Sequence, residues 1–376
     1  MPRRLLLAAV FVAALLPWVA TLQPVLAQED DTKKIKFKTA DEVTLHATLY
    51  KSKAKNPNNS PCVILLHQPL TDPNKGDLGG LAKTLAKEGY NVLRLDFRGH
   101  GDSTLVNPAK FWSDPINAAF FPKEAKKKPL PNKFELPKDP TKATKDIKNY
   151  LPKLADDIMA ARVALDQLSD NNEVNSSSVY LVGPQDCATL GTLYATAEWV
   201  RPQKIPASLI GNHPPLAAKN GGGPAVGGEP AGKDLGGAVW LSPTVPANGL
   251  VDVDNKTVQK WMAFAPELRD RTPVLCVYGD KDTVGQAGST FFQDKVFVAN
   301  PPKGSPLSKL GMNKTMTVKS TLTGVGLLGQ QLGTEKLIVD YLEALEKERL
   351  NLIRIPNRGF PTPPPIDLKS FGVCEK

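Results

Sequence analysis

Residues 179–188 read VYLVGPQDCA, and this stretch decides the fold. Its first four residues form an apolar run, which predicts a strand that is buried on both faces. Gly183, Cys187 and Ala188 are small enough for a sharp turn from that strand into a closely packed helix. Residues 189–200 continue with helical character. The stretch therefore predicts a strand, a turn and a helix.

Strands and helices alternate on both sides of this stretch. The sequence predicts two short strands within 35–50 and further strands at 62–67, 91–97, 178–182, 238–242, 273–278 and 315–322. It predicts helices at 78–88, 156–168, 189–200, 257–264 and 334–348. Such alternation favours right-handed crossovers and parallel pairing. We therefore expect an α/β fold with a mostly parallel central sheet flanked by helices.

Three segments interrupt or follow this alternation. Residues 105–151 are rich in proline and lysine and too long for an ordinary connection, which predicts a lid-like insertion. Residues 201–234 contain three consecutive glycines and predict a second insertion, a mobile surface loop. Residues 351–376 contain a cluster of prolines and predict an extended C-terminal tail. The main domain is expected at 28–350.

The N-terminus has the features of a signal peptide at 1–27. Arg3 and Arg4 precede an apolar run over 5–16, and 25–27 read VLA, a small-x-small cleavage site. The run is shorter than the roughly 20 apolar residues that span a bilayer, and no later stretch is long enough. We therefore expect export to a periplasmic or extracellular location and no transmembrane span in the mature chain.

The net charge is positive, and much of it lies on lysine in loops. The formal charge is +9, and loss of Arg3 and Arg4 leaves +9 − 2 = +7. No element interleaves arginine with aromatic residues, so we do not expect a nucleic-acid surface. Lysine-rich loops at 51–55 and 123–128 leave binding to an anionic surface open.

The four cysteines predict neither a metal site nor a dense disulfide framework. Cys62 and Cys276 lie inside apolar runs, as buried thiols do, while Cys187 and Cys374 lie elsewhere. Export makes a disulfide possible, but the spacing pairs none of them. No His, Cys and carboxylate cluster has metal-ligand spacing, so we expect neither a metal nor another cofactor.

Four short segments resemble the α/β-hydrolase family, particularly its esterase and serine-aminopeptidase-like branch. They are LLH at 65–67, LDFRGHGDS at 95–103, VYLVG at 179–183 and VYGDKD at 277–282, and they follow in the family's order. The resemblance covers about 34–348 without the two insertions. It implies an α/β-hydrolase fold with a Ser-His-acid triad at the carboxyl edge of the sheet.

The resemblance places Gln185 where the family has its nucleophilic serine. That serine lies at the centre of a G-x-S-x-G turn between strand and helix. A carboxamide has no nucleophilic oxygen that ionises at neutral pH, so it cannot form an acyl-enzyme. We therefore expect the turn to remain and the chemistry to be absent.

The general base is missing by the same comparison, whereas the acid is present. The family's histidine follows the last strand in a run that corresponds to 323–329, and Leu327 occupies the expected position. No histidine occurs after His213. Asp282 stands at the acid position, where without a histidine it is expected to cap the next loop or to meet a lysine.

The oxyanion hole is expected to be damaged as well. The family uses a backbone N–H beyond a His-Gly pair, and Gln68 replaces that glycine here. Pro69 follows and has no N–H to donate. The second donor would be the N–H of Asp186, whose carboxylate would lie beside the developing negative charge.

Three interpretations of function follow. The first is an exported, catalytically inactive hydrolase homologue whose crevice binds a small ligand or peptide. The second is an active ester or peptide hydrolase with relocated groups, in which Cys187 or Ser103 is the nucleophile and His213 the base. The third is an envelope-associated structural protein that is retained through its basic loops.

Overall fold

The structure is a computed structural model, and it describes residues 32–204, 215–218, 228–297, 313–349 and 353–375. The predicted signal peptide, His213 and most of the second insertion lie outside the described residues. Residues from Thr32 onward form one unit.

Eight strands form a single sheet, and all eight were predicted from the sequence. They are β1 (Thr32–Lys38), β2 (Thr44–Tyr50), β3 (Cys62–Leu65), β4 (Asn91–Asp96), β5 (Val179–Pro184), β6 (Leu235–Leu241), β7 (Val274–Gly279) and β8 (Asn313–Val318). Their order across the sheet is β1-β2-β4-β3-β5-β6-β7-β8. β2 runs antiparallel to both of its neighbours, and every other pair is parallel. The predicted mostly parallel sheet is confirmed.

Helices cover both faces of the sheet. The helices, in chain order, are α1 (Leu78–Lys87), α2 (Pro108–Phe111), α3 (Pro115–Phe120), α4 (Pro122–Ala125), α5 (Lys145–Tyr150), α6 (Ala155–Asp170), α7 (Cys187–Val200), α8 (Asn255–Phe264), α9 (Pro266–Arg271), α10 (Thr283–Phe291) and α11 (Thr334–Glu348). Buried residues of α1 and α11 share one apolar cluster, and those of α6, α7 and α8 share the other. The five predicted helices are α1, α6, α7, α8 and α11, and the others are shorter.

The first insertion has a small aromatic core of its own. Its rings contact one another edge to face, with centroids 4.7 Å apart for Phe111 and Trp112 and 4.9 Å for Phe121 and Tyr150. Asn117 in α3 donates from Nδ2 to Asp41 at 2.8 Å and so ties the insertion to the turn between β1 and β2. The aromatic side chains therefore stabilise the insertion itself.

The C-terminal segment packs into the domain and is not a free tail. The N–H of Ile366 donates to Asp156 of α6 at 2.9 Å, and Trp261 of α8 donates to the carbonyl of Phe371 at 2.9 Å. Phe371 and Val373 are buried in the same apolar cluster as α6 and α7. Proline prevents regular structure here, but long-range packing holds the segment in place.

Arg358 anchors this segment in a buried, charge-balanced ionic cluster. The cluster contains three arginines and three acids, namely Arg162, Arg201, Arg358, Asp166, Glu198 and Asp234. All six side chains are at most 2% exposed. Removal of one member would leave an opposite charge buried without its partner, which is strongly destabilising.

Candidate active site

Gln185 lies at the tip of a sharp turn between β5 and α7. Its φ is +47°, in a region that side chains other than glycine rarely adopt. Its N–H donates to the carbonyl of Leu241 at the end of β6, at 2.8 Å. A Cβ on Gly183 would lie 2.6 Å from Cβ of Cys187, so the turn requires glycine there. The strand-turn-helix geometry that the sequence predicts is present.

The side chain of Gln185 faces the loop that follows β8. A Cβ on Gly324 would lie 3.2 Å from both Cγ and Cδ of Gln185 and 3.5 Å from its Oε1. Gly324 has a φ of +53° and begins the 3-10 turn Gly324–Leu327. Leu327, the expected base position, is fully buried in the apolar cluster with α1 and α11. Gly324, which the sequence analysis did not single out, is therefore a residue of this loop that lies against Gln185.

Asp282 follows β7 and caps α10. Its Oδ1 accepts a hydrogen bond from the N–H of Gly285 at 2.9 Å. Its Oδ2 is buried and has no hydrogen-bond partner among the described residues. The acid position thus holds a carboxylate with one structural bond and one unused oxygen.

The loop after β3 has little capacity to bind an oxyanion. Pro69 has no N–H, and the N–H of Leu70 donates to Nε2 of His100 at 2.9 Å. The carbonyl of Gln68 accepts from Nδ1 of His67 at 2.9 Å and from Thr71 at 2.8 Å. The sequence analysis expected Pro69 to lack a donor; the structure adds that the next N–H, that of Leu70, is already bonded to His100.

The carboxylate of Asp186 binds the loop after β6. Its Oδ1 accepts from the N–H of Leu250 at 2.7 Å. Burial raises the pKa of Asp186, although hydrogen bonds from the N–H groups of Leu250 and Val251 oppose that shift. A group that is already desolvated and acidic next to the turn would disfavour further negative charge there.

Cys187 packs beneath the turn. Its Sγ is fully buried and donates to the carbonyl of His67 at 3.2 Å. Burial raises its pKa well above the ordinary value, and the carboxylate of Asp186 adds to that effect. A thiolate is therefore unfavourable at this position.

Ser103 is also held in structural hydrogen bonds. Its Oγ donates to the carbonyl of Asp96 at 2.7 Å and accepts from the N–H of His46 at 2.8 Å. The side chain is fully buried. These bonds join the loop after β4 to β2 and engage the hydroxyl both as a donor and as an acceptor.

His67 and His100 are buried and neutral. Nε2 of His67 accepts from the N–H of Phe97 at 3.1 Å, which assigns the proton to Nδ1. Burial lowers the pKa of His100 to about 4 and that of His67 well below its usual range. Both rings therefore join β3 to the loop after β4 as hydrogen-bonded scaffold groups.

Ser242 is a further residue at this edge that sequence patterns did not identify. It follows β6 directly, has a φ of +48°, and its N–H donates to the carbonyl of Val277 at 2.7 Å. Its Oγ is buried without a hydrogen-bond partner among the described residues. Neither a left-handed backbone nor an unpaired hydroxyl is predictable from a serine in an apolar run.

The described part of the chain contains no cluster of three or more His, Cys, Asp or Glu side chains suited to a metal ion. No helix in that part combines the length and apolar character that a membrane crossing requires. All four cysteines are free and buried.

The order and directions of the strands, together with the turn at Gln185, identify the architecture. The chain has an α/β-hydrolase fold. No family model matches the sequence, and no curated protein matches it. The fold assignment therefore depends on the sheet order and on the turn between β5 and α7.

Solved hydrolases of this fold are similar at low identity. A sugar hydrolase from Lactococcus lactis is 12% identical, with a TM-score of 0.48 over 85% of this chain and 100% of that chain. Est1E from Butyrivibrio proteoclasticus, solved with ferulic acid, is 14% identical, with a TM-score of 0.46 over 84% and 99%. The Pyrococcus furiosus esterase Pf2001 is 14% identical, with a TM-score of 0.43 over 84% and 92%. These matches give no substrate or activity for this protein.

Proposed function

We propose that this protein is an exported α/β-hydrolase-fold protein that has lost hydrolysis and acts by binding or scaffolding. The observation that supports it most strongly is the contact of Gln185 with Gly324. The turn that would carry the nucleophile carries a carboxamide, and the loop that would carry the base presents a glycine to it. Neither residue can take or give the proton that acyl transfer requires.

The surrounding groups support the same proposal. Loss of one oxyanion donor alone reduces turnover by about two to three orders of magnitude in serine hydrolases. Here Pro69 cannot donate and Leu70 donates to His100. The remaining acid, Asp282, caps α10. Relocated chemistry at Cys187 or Ser103 has less support, because both are buried in structural hydrogen bonds.

A binding role has a natural place in this fold. Ligands of parallel α/β sheets bind at the carboxyl ends of the strands, the edge where Gln185 and Asp282 lie. The amide of Gln185 can both donate and accept a hydrogen bond, so it suits a small ligand or a peptide segment.

Turnover assays test the loss of hydrolysis. The mature protein is offered short-chain acyl esters and an aminopeptidase substrate, with an active esterase of the same fold as positive control. We expect no turnover above background from the wild type or from Gln185→Ser, because the variant regains a hydroxyl without a base. Turnover that disappears in Cys187→Ala or His213→Ala would contradict the proposal.

Export can be tested separately. We expect the full chain, expressed with a secretion system, to leave the cytoplasm and to begin at Gln28 by N-terminal sequencing. A protein that stays in the cytoplasm and keeps residues 1–27 would contradict export. That result would not affect the proposed loss of hydrolysis.

Retention at an anionic envelope surface is a second candidate. The first insertion, residues 105–151, contains ten lysines and five acidic residues, an excess of 10 − 5 = +5. Ionic contacts of exposed lysines weaken as salt screens them. We expect the protein to bind an anionic surface at low salt and to be released from it by about 0.5 M salt. Binding that persists at high salt would contradict this candidate function.

A further inference from the structure

A polar cleft of about 520 Å³ lies between the loop after β3 and the first insertion. The loop contributes Thr71, Asp72, Asn74 and Lys75, and the insertion contributes Lys138 and Asp139. Because the loop follows β3 and the insertion follows β4, the cleft lies at the carboxyl edge of the sheet. Its volume is that of a site for a small molecule. Gln185 does not line it.

Each aspartate of the cleft accepts hydrogen bonds from its own turn through Oδ1, and its Oδ2 is left for a ligand. Oδ1 of Asp72 accepts from the N–H of Asn74 at 2.9 Å. Oδ1 of Asp139 accepts from the N–H of Thr141 at 2.9 Å and from its hydroxyl at 2.7 Å. Neither Oδ2 makes a hydrogen bond with a described residue. The carboxylates are therefore fixed in position and can each accept a hydroxyl from a ligand.

The cations of the cleft are exposed and have no ion-pair partner among the described residues. Lys75 and Lys138 come from opposite walls, and the side chains of both reach solvent. The insertion that carries Lys138 has the charge excess of +5 given above. The two carboxylates of the lining balance these two cations, and Lys75 acts electrostatically on Asp139. Both ammonium groups still reach solvent and can contact an acid group of a ligand.

We propose that this cleft binds a small acidic carbohydrate. Lys75 and Lys138 contact the acid group, and the free Oδ2 atoms of Asp72 and Asp139 accept hydrogen bonds from sugar hydroxyls. A wall of charged and amide groups does not suit an apolar ligand. A sugar that carries an acid group can engage the ammonium groups and the carboxylates together, whereas a bare anion engages the ammonium groups alone. The acid group is a carboxylate, as in a uronic acid, or a phosphate, as in a sugar phosphate. The inference goes beyond the proposed function because the cleft is built without Gln185.

Calorimetric titration of the mature full chain tests the cleft. Glucuronate and glucose 6-phosphate represent the two acid groups, glucose lacks the acid, and inorganic phosphate lacks the sugar. We expect one of the acidic sugars to bind at least about tenfold more tightly than either glucose or inorganic phosphate, and the better one identifies the acid group.

Paired variants locate the binding. We expect the double variant Lys75→Gln, Lys138→Gln to bind the acidic sugar at least about tenfold more weakly than the wild type. The control pair, Lys126→Gln with Lys128→Gln, removes the same charge from the same insertion outside the cleft and should bind like the wild type. Thermal unfolding of each pair checks that the fold is kept.

Three results would overturn the inference: no binding of either acidic sugar, equal binding of inorganic phosphate, or equal weakening by both lysine pairs. The outcome is separable from that of the proposed function. Ester turnover by the same preparation would contradict the loss of hydrolysis and leave the cleft in place. Absence of binding in the titrations would contradict the proposed ligand site, and it would leave the proposed loss of hydrolysis unaffected.

Discussion

Gln185 and Gly324 face each other across the carboxyl edge of the sheet, close enough that a Cβ on the glycine would contact the glutamine side chain at 3.2 Å. Both residues have positive φ, +47° for Gln185 and +53° for Gly324. The turn after β5 and the loop after β8 therefore meet, and neither of these two residues offers a nucleophile or an imidazole. On the proposal above, the side chains at these positions account for the inactivity, while the scaffold is kept.

The backbone of Gln185 should make glycine more stable than alanine at this position. Gln185→Gly and Gln185→Ala both remove the side chain, but only glycine adopts a φ of +47° without steric cost. We expect Gln185→Gly to have a free energy of unfolding about 1 kcal/mol higher than Gln185→Ala in urea denaturation. As a control, Lys336 is exposed within α11, where alanine favours the helix more than glycine does. We therefore expect Lys336→Ala to be more stable than Lys336→Gly. Equal stability of the two Gln185 variants would show that the turn is not strained.

Most of the fold was predictable from the sequence, because strand and helix periodicity are local properties. The strand before Gln185 and the small residues Gly183 and Cys187 predicted the turn correctly. The approach of Gly324 to Gln185 was not predictable, because it depends on how the loop after β8 packs against the turn in three dimensions. Short helices of the insertion lack enough turns for a clear period.

The C-terminal segment and the ionic cluster were not predictable for a different reason. Proline composition predicted an extended tail, and composition carries no information on long-range contacts. Arg358 reaches Asp166 and Asp234, which lie far away in the chain. Pairing of that kind depends on tertiary structure alone.

Cys187 should be unreactive in the folded protein. Its thiol is buried, and burial raises its pKa well above the ordinary value. We expect a thiol-directed reagent to leave the native protein unmodified at neutral pH and to modify all four cysteines after unfolding. Rapid modification of one native thiol that is absent in Cys187→Ala would support the relocated-nucleophile alternative instead.

His100 should make stability fall in mild acid. Its pKa is about 4 in the fold, below its ordinary value of 6.5, so between these values the unfolded chain binds a proton that the native state does not. Stability from this group is complete above pH 6.5 and is lost as pH falls toward 4, by roughly 3 kcal/mol at about 1.4 kcal/mol per pKa unit. We expect unfolding of His100→Asn to show a shallower pH dependence over this range. Parallel pH profiles would contradict a buried neutral imidazole.

Arg358 should be required for stability although it lies in the proline-rich segment. Arg358→Met leaves Asp234 and Asp166 with one cation fewer in a buried cluster, which typically costs about 3–5 kcal/mol. Lys369→Met, on an exposed position of the same segment, should change the free energy of unfolding by less than about 0.5 kcal/mol. Equal effects of the two substitutions in urea denaturation would show that the segment is not anchored by Arg358.

The most direct test of the central claim is intact-mass spectrometry of the mature protein after incubation with an activated acetyl ester and a serine-directed phosphonate. An acyl or phosphonate adduct at the turn between β5 and α7 requires a nucleophile there. We predict an unchanged mass for the wild type under conditions that fully label an active esterase of the same fold. A single adduct that maps to residues 183–189 would contradict the account.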